Sequence, residues 1–359
     1  VKKRHNSRLI FLSTFLILPV LTLVLRAQVT SSANSSLLPG AQPAEAPLET
    51  KRLVGIYGQK PDQIILLERD GTLFYRDASG IETPIHESKS RTYEATLPGP
   101  RKIEIYPPNY KTSGSNAWPF IRIGEATYKR ADGGGSAWFH LTPLKPVDKL
   151  REAALAEKPP AESGPFRKPE LVELVTLDPA IHLEIRYAQT NNFLSTPVYT
   201  QARAFMQLPA AEALARALHK LQPLGYGLLI HDAYRPWYVT KIFWDATPPE
   251  DHIFVADPQK GSRHNRGCAV DLTLYDLTTE KAIEMPGMYD EMSPRSFPDF
   301  PGGTSLQRWH RDLLRRVMES EGFVVNKDEW WHFDFNEWKF YPILNVPFEN
   351  LNAVSKAAD

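Results

Sequence analysis

The chain has 359 residues, 42% hydrophobic and 23% charged, a globular composition with length enough for two domains of ordinary size. Its 42 basic and 42 acidic residues cancel to a formal net charge of zero, so no basic field argues for a nucleic-acid partner. Cys268 is the only cysteine, which excludes an internal disulfide and leaves the core, a metal ion or both to stabilise the fold.

Residues 1–27 read as a secretory signal peptide. Lys2, Lys3, Arg4 and Arg8 form a positive start, Leu9 to Leu25 is almost wholly apolar, and Ala27 ends the segment. The protein is therefore expected to be exported, periplasmic or otherwise extracytoplasmic. If the segment is retained, it anchors the chain to the membrane. No lipobox-like cysteine stands at the end of the apolar run, which argues against a lipoprotein. The segment holds five basic and no acidic residues, so the remainder carries a formal charge of −5. Residues 28–50 are rich in Ser, Ala and Pro and are expected to form a disordered linker.

From about Leu53 the pattern changes to short strands. LVGIYG, QIILLERDG, TLFYRDASG, TYEATLPG, RKIEIYPP and FIRIGEATYKR alternate apolar and polar residues, with turn signals at Asp70-Gly71 and Ser79-Gly80. Residues 51–144 are expected to be a small antiparallel β domain, a partly closed barrel loosely similar to the lipocalin-like modules appended to some bacterial hydrolases. His86 and His140 stand alone there and read as surface or packing residues. Residues 145–168 combine a short helical stretch with a Pro-rich linker.

The second domain is expected over 169–349, with a tail at 350–359. ELVELVTLD and HLEIRYA read as strands, and MQLPAAEALARALHKLQPLG as a helix with Gly225 beyond its end. YGLLIHDAYRP reads as a buried strand running into a turn, and PWYVTKIFWDAT as a second helix with Pro236 near its first turn. CAVDLTLYD is a strand, SLQRWHRDLLRRVMESEG an amphipathic helix ended by Gly322, and FVVN and EWWHFDF are closing strands. Helices and strands mix without regular βαβ spacing, so the fold class is α+β.

Two blocks in this domain carry chemistry. Ser262 to Asp271 reads S-R-H-N-R-G-C-A-V-D, and Glu329 to His332 reads E-W-W-H. They supply two imidazoles and two carboxylates, the ligand types of a catalytic zinc site, which needs three protein ligands and a carboxylate left over as general base. Gly267 allows the chain to fold back between His264 and Asp271. Glu329 and His332 are three apart, so a bend or bulge is expected to bring both to one side. Each block alone is near what chance supplies. The plain alternative makes His264 a loop histidine, Asp271 a local pairing group, and Trp330 and Trp331 core aromatics. His231 reads as a satisfied core histidine, and Cys268 as packing.

The conjunction resembles a known family. S-x-H-x-x-G-x-A-x-D followed by E-x-x-H is similar to the signature of the zinc D-Ala-D-Ala peptidases, whose zinc site is shared by the hedgehog signalling domain. The resemblance to the D-alanyl-D-alanine dipeptidase (VanX-type) group is closer still, through IRYAQTNNF (Ile185–Phe193), DAYRP (Asp232–Pro236), the SRHNRGCAVD block, MPGMYDEMS (Met285–Ser293) and EWWHFDF (Glu329–Phe335). The likeness covers roughly residues 170–345 and implies a hedgehog/D-Ala-D-Ala-peptidase-like zinc domain preceded by the small all-β domain. It implies His264, Asp271 and His332 as ligands of one zinc ion, Glu329 as the base and Arg235 as the oxyanion donor. Asp290 is implied as the acceptor of the substrate's amino group, and Ser262 as a residue at the substrate-binding edge.

The leading expectation is thus a zinc D,D-dipeptidase acting on a small D-amino-acid dipeptide outside the cytoplasm. A D,D- or L,D-carboxypeptidase trimming peptidoglycan stems is the nearest alternative. A non-catalytic protein that holds cell-wall fragments is a third.

Overall fold

The structure, a computed structural model, describes residues 36–89, 92–96, 102–106, 117–132 and 139–351. The expected signal peptide, the start of the expected linker at 28–35 and the tail beyond 351 lie outside the described residues. Among the described residues no helix is long and apolar enough to cross a membrane.

A short helix, α1 (Leu48–Leu53), leads into eight strands: β1 (Gly55–Tyr57), β2 (Ile64–Arg69), β3 (Thr72–Arg76), β4 (Glu82–Lys89), β5 (Thr92–Thr96), β6 (Lys102–Tyr106), β7 (Phe120–Ile123) and β8 (Ala126–Lys129). Each pairs antiparallel with the next, a simple meander. The two ends nearly close: Gly58 N donates to Lys129 O at 2.7 Å and Ala131 N to Ile56 O at 2.8 Å. Closure hides edge hydrogen-bonding groups that an open meander would expose. The barrel-like sheet encloses Tyr57, Leu66, Ala95, Ile105 and Ile121, all fully buried or nearly so. Two stretches differ from the sequence expectation. β4 was not foreseen because Ile85 is its only strongly apolar inward residue and Pro84 sits beside it. FIRIGEATYKR is a hairpin, β7 and β8, turning at Gly124 with φ +56°. His86 and His140 are exposed.

After α2 (Val147–Ala156) comes a second sheet. β10 (His182–Leu183), β12 (Tyr226–Asp232), β13 (Ala269–Asp276), β15 (His332–Phe335) and β14 (Phe323–Val325) lie in that spatial order, all antiparallel except the β10–β12 pair. A separate two-stranded sheet pairs β9 (Leu171–Glu173) with β11 (Phe205–Gln207). The helices are α3 (Leu174–Leu177), α4 (Leu208–Leu221), α5 (Trp237–Ala246) and α6 (Ser305–Glu319). Helix α4 packs on α6 and on β12, α6 also on β14, and α2 on α5. The run ELVELVTLD is not one strand but β9 followed by the single turn α3, and HLEIRYA holds only β10 before a 3-10 turn at Arg186–Ala188. At such lengths alternation does not separate a strand from a helical turn.

From Pro39 on, the described residues belong to one compact unit, and β2 meets the second sheet's module within it. Its IILL run departs from the alternation expected of it and is apolar throughout, because both faces are covered: Leu66 is buried within the barrel, and Leu67, also 0% exposed, bridges to Gly303. Glu68 then accepts from Ser305 N at 2.7 Å, its carbonyl accepts from Arg308 at 2.7 Å, and Arg308 Nη1 reaches Gly303 O at 2.8 Å. In the stretch expected to be a linker, Gly40 O accepts from Trp309 Nε1 at 3.1 Å and Ala46 is buried.

Candidate active site

Strand register builds the centre of the site. Asp271 on β13 lies directly opposite His332 on β15 and Asp232 on β12, so the three side chains form one row across three strands. The row exists because β12 carries an irregularity between Ile230 and Asp232. One extra residue there shifts the pairing so that Asp232, rather than His231, opposes Asp271. Val270, Leu272 and Leu274, all 0% exposed, occupy the opposite face of β13.

His264 reaches the row from a 3-10 turn, His264–Arg266, closed by Gly267 with φ +68°. A side chain at Gly267 would bring its Cβ within 2.5 Å of Leu171 Cδ2, so both the left-handed backbone and the close approach demand glycine. Asn265 ties this turn to the Arg235 turn: its Nδ2 donates to Arg235 O and to Thr240 Oγ1, both at 2.8 Å, while its Oδ1 accepts from Ser262 N at 2.7 Å. Ser262 Oγ accepts from His264 N at 3.2 Å and so caps the turn that presents the histidine.

Three donor atoms converge. His264 Nε2 is 3.1 Å from His332 Nδ1 and 3.3 Å from Asp271 Oδ1, and His332 Nδ1 is 3.0 Å from Asp271 Oδ1. Tetrahedral zinc with bonds of about 2.0–2.1 Å puts its ligand atoms about 3.3 Å apart, so the triangle has the size such an ion needs. The tautomers agree. His264 Nδ1 donates to Ala233 O at 2.6 Å and His332 Nε2 to Asp334 Oδ1 at 2.9 Å, which leaves a lone pair on each nitrogen facing the centre. Asp271 Oδ1 is buried without a hydrogen bond, so two lone pairs and a carboxylate oxygen face one another. That arrangement calls for positive charge. It is the one group of this kind found among the described residues, and it fits a metal ion. Burial disfavours the charged form of both Asp271 and His332, yet their mutual attraction outweighs it. His264 and His332 hold the Asp271 carboxyl below its usual range, and Asp334 and Asp271 hold His332 well above its own.

Around the triad lies a cavity of about 440 Å³ whose walls include Arg235, Ser262, Asp290 and Glu329. Glu329 precedes β15 in the turn where His332 N donates to Glu329 O at 3.3 Å, so a turn does what the expected bulge was to do. Its Oε2 accepts from Asn326 Nδ2 at 3.0 Å and is 3.6 Å from His332 Nδ1. Burial raises the Glu329 carboxyl to about 7, with His332 opposing the rise. Arg235 stays charged: burial opposes that, but Asp232 accepts from Nε at 2.9 Å and Nη2 at 2.8 Å. That pair engages Nε and Nη2, and the guanidinium lies over the Phe243 ring, 4.8 Å from its centre. Asp290 accepts from Tyr187 OH at 3.1 and 3.0 Å, and burial with the nearby Asp271 and Glu329 charges raises its carboxyl well above the usual range.

The structure therefore brings together every residue singled out in the sequence: His264, Asp271, His332, Glu329, Arg235, Asp290 and Ser262. It adds Tyr187, which holds Asp290, and Tyr289, whose hydroxyl donates to Asp271 Oδ2 at 3.1 Å. No local signal marks a tyrosine for such a role, because the role depends on where a distant hydroxyl lands. His231 packs 4.7 Å from the Tyr289 ring, and burial lowers its pKa to about 3, so it is neutral. Trp331 is buried against Tyr289, and the Cys268 thiol is pushed up by burial.

A family model described as D-ala-D-ala dipeptidase matches residues 167–350. The D-alanyl-D-alanine dipeptidase of Escherichia coli (strain K12) is 37% identical over 179 residues, 50% of this chain and 91% of that protein. The enzyme of the same name from Enterococcus faecalis is 34% identical over 182 residues, 44% of this chain and 88% of its own length. That from Streptomyces coelicolor is 33% identical over 178 residues, 44% of this chain and 87% of its own.

Proposed function

This chain belongs to the D-ala-D-ala dipeptidase family of peptidases, and we propose that it hydrolyses the D-Ala-D-Ala dipeptide to D-alanine with one zinc ion, outside the cytoplasm. The observation that carries the reading is a pocket with two ends. A triad with the dimensions of a zinc site lies with Arg235 and Glu329 beside it, and a half-buried carboxylate, Asp290, lines the same cavity. A zwitterionic dipeptide needs a donor for the oxyanion and a carboxylate for its ammonium group.

His264, Asp271 and His332 would hold the ion, which when bound lowers the pKa of water and polarises the scissile carbonyl. Glu329 takes a proton from the attacking water, and its raised pKa suits it to pass that proton to the departing amine as the C–N bond breaks. Arg235 donates to the oxygen that gains charge. Asp290, with Tyr187 donating to its oxygens and its carboxyl held well above the usual range, gains an ionic partner when the substrate ammonium arrives, which offsets the desolvation of its charge. Export rests on the positive start and apolar run of residues 1–27.

A substrate panel on purified, zinc-loaded protein tests this. Free D-Ala-D-Ala is expected to be cleaved and a stem pentapeptide left intact. Release of alanine from the pentapeptide alone would turn the reading to a carboxypeptidase. Metal binding without turnover of either would turn it to a binding protein. Fractionation of cells expressing the full chain is expected to place the activity outside the cytoplasm.

A further inference from the structure

The loop that carries Asp290 is braced from outside the family-matched residues. Asp132 follows the last strand of the barrel-like sheet, and its side chain is 1% exposed. Its carboxylate accepts from Arg130 Nη1 at 3.0 Å and from Ile56 N at 2.9 Å, and lies 3.2 Å from Arg295 Nη1. The Asp132 carbonyl accepts from that same Arg295 nitrogen at 3.1 Å. Arg295 grips its own loop as well: Nε donates to Pro286 O at 2.8 Å and lies 3.6 Å from Glu291 Oε1. Glu291 in turn accepts from Met288 N at 2.9 Å and from Ser293 Oγ at 2.7 Å.

One guanidinium thus joins both shoulders of the 285–296 loop to the barrel. Asp290, between those shoulders, has φ +58°, a left-handed conformation that a non-glycine residue keeps only when its surroundings impose it. Behind the loop lies a cavity of about 320 Å³, with Asp132 and Arg295 among its walls. The loop is not packed solid against the barrel, and the ion pair spans the gap. The far end of the loop serves the base: Ser296 O accepts from Trp330 N at 2.7 Å, next to Glu329.

We propose that Asp132 is a positioning residue for the ammonium end of the active site: through Arg295 it holds the Asp290 loop in the shape that receives the substrate's amino group. The inference rests on the dipeptidase reading of that site. It gives the barrel a role in substrate binding although Asp132 lies outside residues 167–350.

The test uses the full, metal-loaded chain with Asp132→Asn and, in case that variant does not fold, Arg295→Lys. The KM for D-Ala-D-Ala is expected to rise about tenfold while kcat stays within about twofold, because ammonium binding rather than proton transfer is disturbed. N-propanoyl-D-alanine, the same dipeptide without its amino group, is expected to react at the wild-type rate. In an Asp290→Asn background, Asp132→Asn is expected to add less than about twofold, since both act through one carboxylate. Hydrogen exchange reads the loop without turnover: amides of residues 288–296 are expected to exchange about tenfold faster in the variants, with β2 and β3 unchanged. An unchanged KM in a folded variant, or equal losses on both substrates, overturns the proposal. A wild-type protein that never cleaves D-Ala-D-Ala sinks the dipeptidase reading instead. The exchange measurement then decides: unchanged exchange overturns the brace and faster exchange supports it.

Discussion

Glu329 is the residue whose environment departs most usefully from that of a free carboxylate. Burial lifts its pKa to about 7, so kcat/KM is expected to fall as pH drops through that group's pKa and the base becomes protonated. A cation on the neighbouring triad stabilises the carboxylate, so the acid limb of the loaded enzyme is expected below pH 7. A pH–rate profile measures it, and a limb at or above 7 would count against Glu329 as the base. Glu329→Gln keeps the shape and removes the proton acceptor. Its kcat is expected to fall about a thousandfold with zinc content unchanged, read by steady-state kinetics beside metal analysis. Tyr289→Phe addresses the ion instead. Losing the 3.1 Å hydrogen bond to Asp271 Oδ2 is expected to weaken zinc binding about tenfold in chelator competition. The triad was legible in the sequence because its three residues sit in two short blocks whose chemistry is local. Tyr187, Tyr289 and Asp334 were not, because each acts through a hydrogen bond that exists only after distant strands pair.

At the scale of elements, the site depends on how strands and helix ends are set. The amphipathic pattern of α4 and α6 and the apolar runs of β12 and β13 could be read along the chain. The one-residue irregularity in β12 could not, since nothing between Ile230 and Asp232 marks an extra residue until β13 lies beside it. β4 escaped because one apolar inward residue is too few to show a period of two. Helix α6 starts with a capping box in which Thr304 Oγ1 accepts from Gln307 N at 3.2 Å and Gln307 Oε1 accepts from Thr304 N at 2.9 Å. A second acceptor comes from another module: Glu68 of β2 takes Ser305 N at 2.7 Å, a carboxylate at the positive end of the helix. Glu68→Ala removes a charge-assisted bond and leaves a buried N–H without its partner, so it is expected to cost about 2 kcal/mol. Thr304→Ala is expected to cost about 1 kcal/mol. Urea denaturation of both variants measures these losses, and a Glu68→Ala protein as stable as wild type would mean the barrel does not support α6.

At the scale of the whole molecule, two modules legible as separate patterns meet in a seam that no pattern announces. The seam is made of single long-range partners: Leu67 with Gly303, Glu68 with Ser305, Asp132 with Arg295. None has a periodicity or a spacing of its own. Asp132 makes the seam sensitive to acid, and the direction follows from its pKa. Burial alone would raise its carboxyl, but Arg130 and Arg295 outweigh burial and hold it below the usual aspartate range. A carboxylate depressed in the folded state contributes stability in full above its unfolded pKa of about 3.9 and loses that contribution as pH falls through the folded value. Asp132→Asn has no such group to protonate. The stability difference between wild type and Asp132→Asn is therefore expected to be widest at neutral pH and to shrink below about pH 4. Glu291, raised mainly by burial and in part by the Asp132 charge, titrates with the opposite slope, so its share of the difference offsets part of the Asp132 trend. The triad residues that acid also protonates are present in both proteins. Thermal unfolding of both proteins from pH 7 to pH 3 measures the gap. A gap that stays constant across that range would show that Asp132 is held by its backbone carbonyl and not by its charge, and the brace would then have to be assigned to the 3.1 Å contact from Arg295 to that carbonyl.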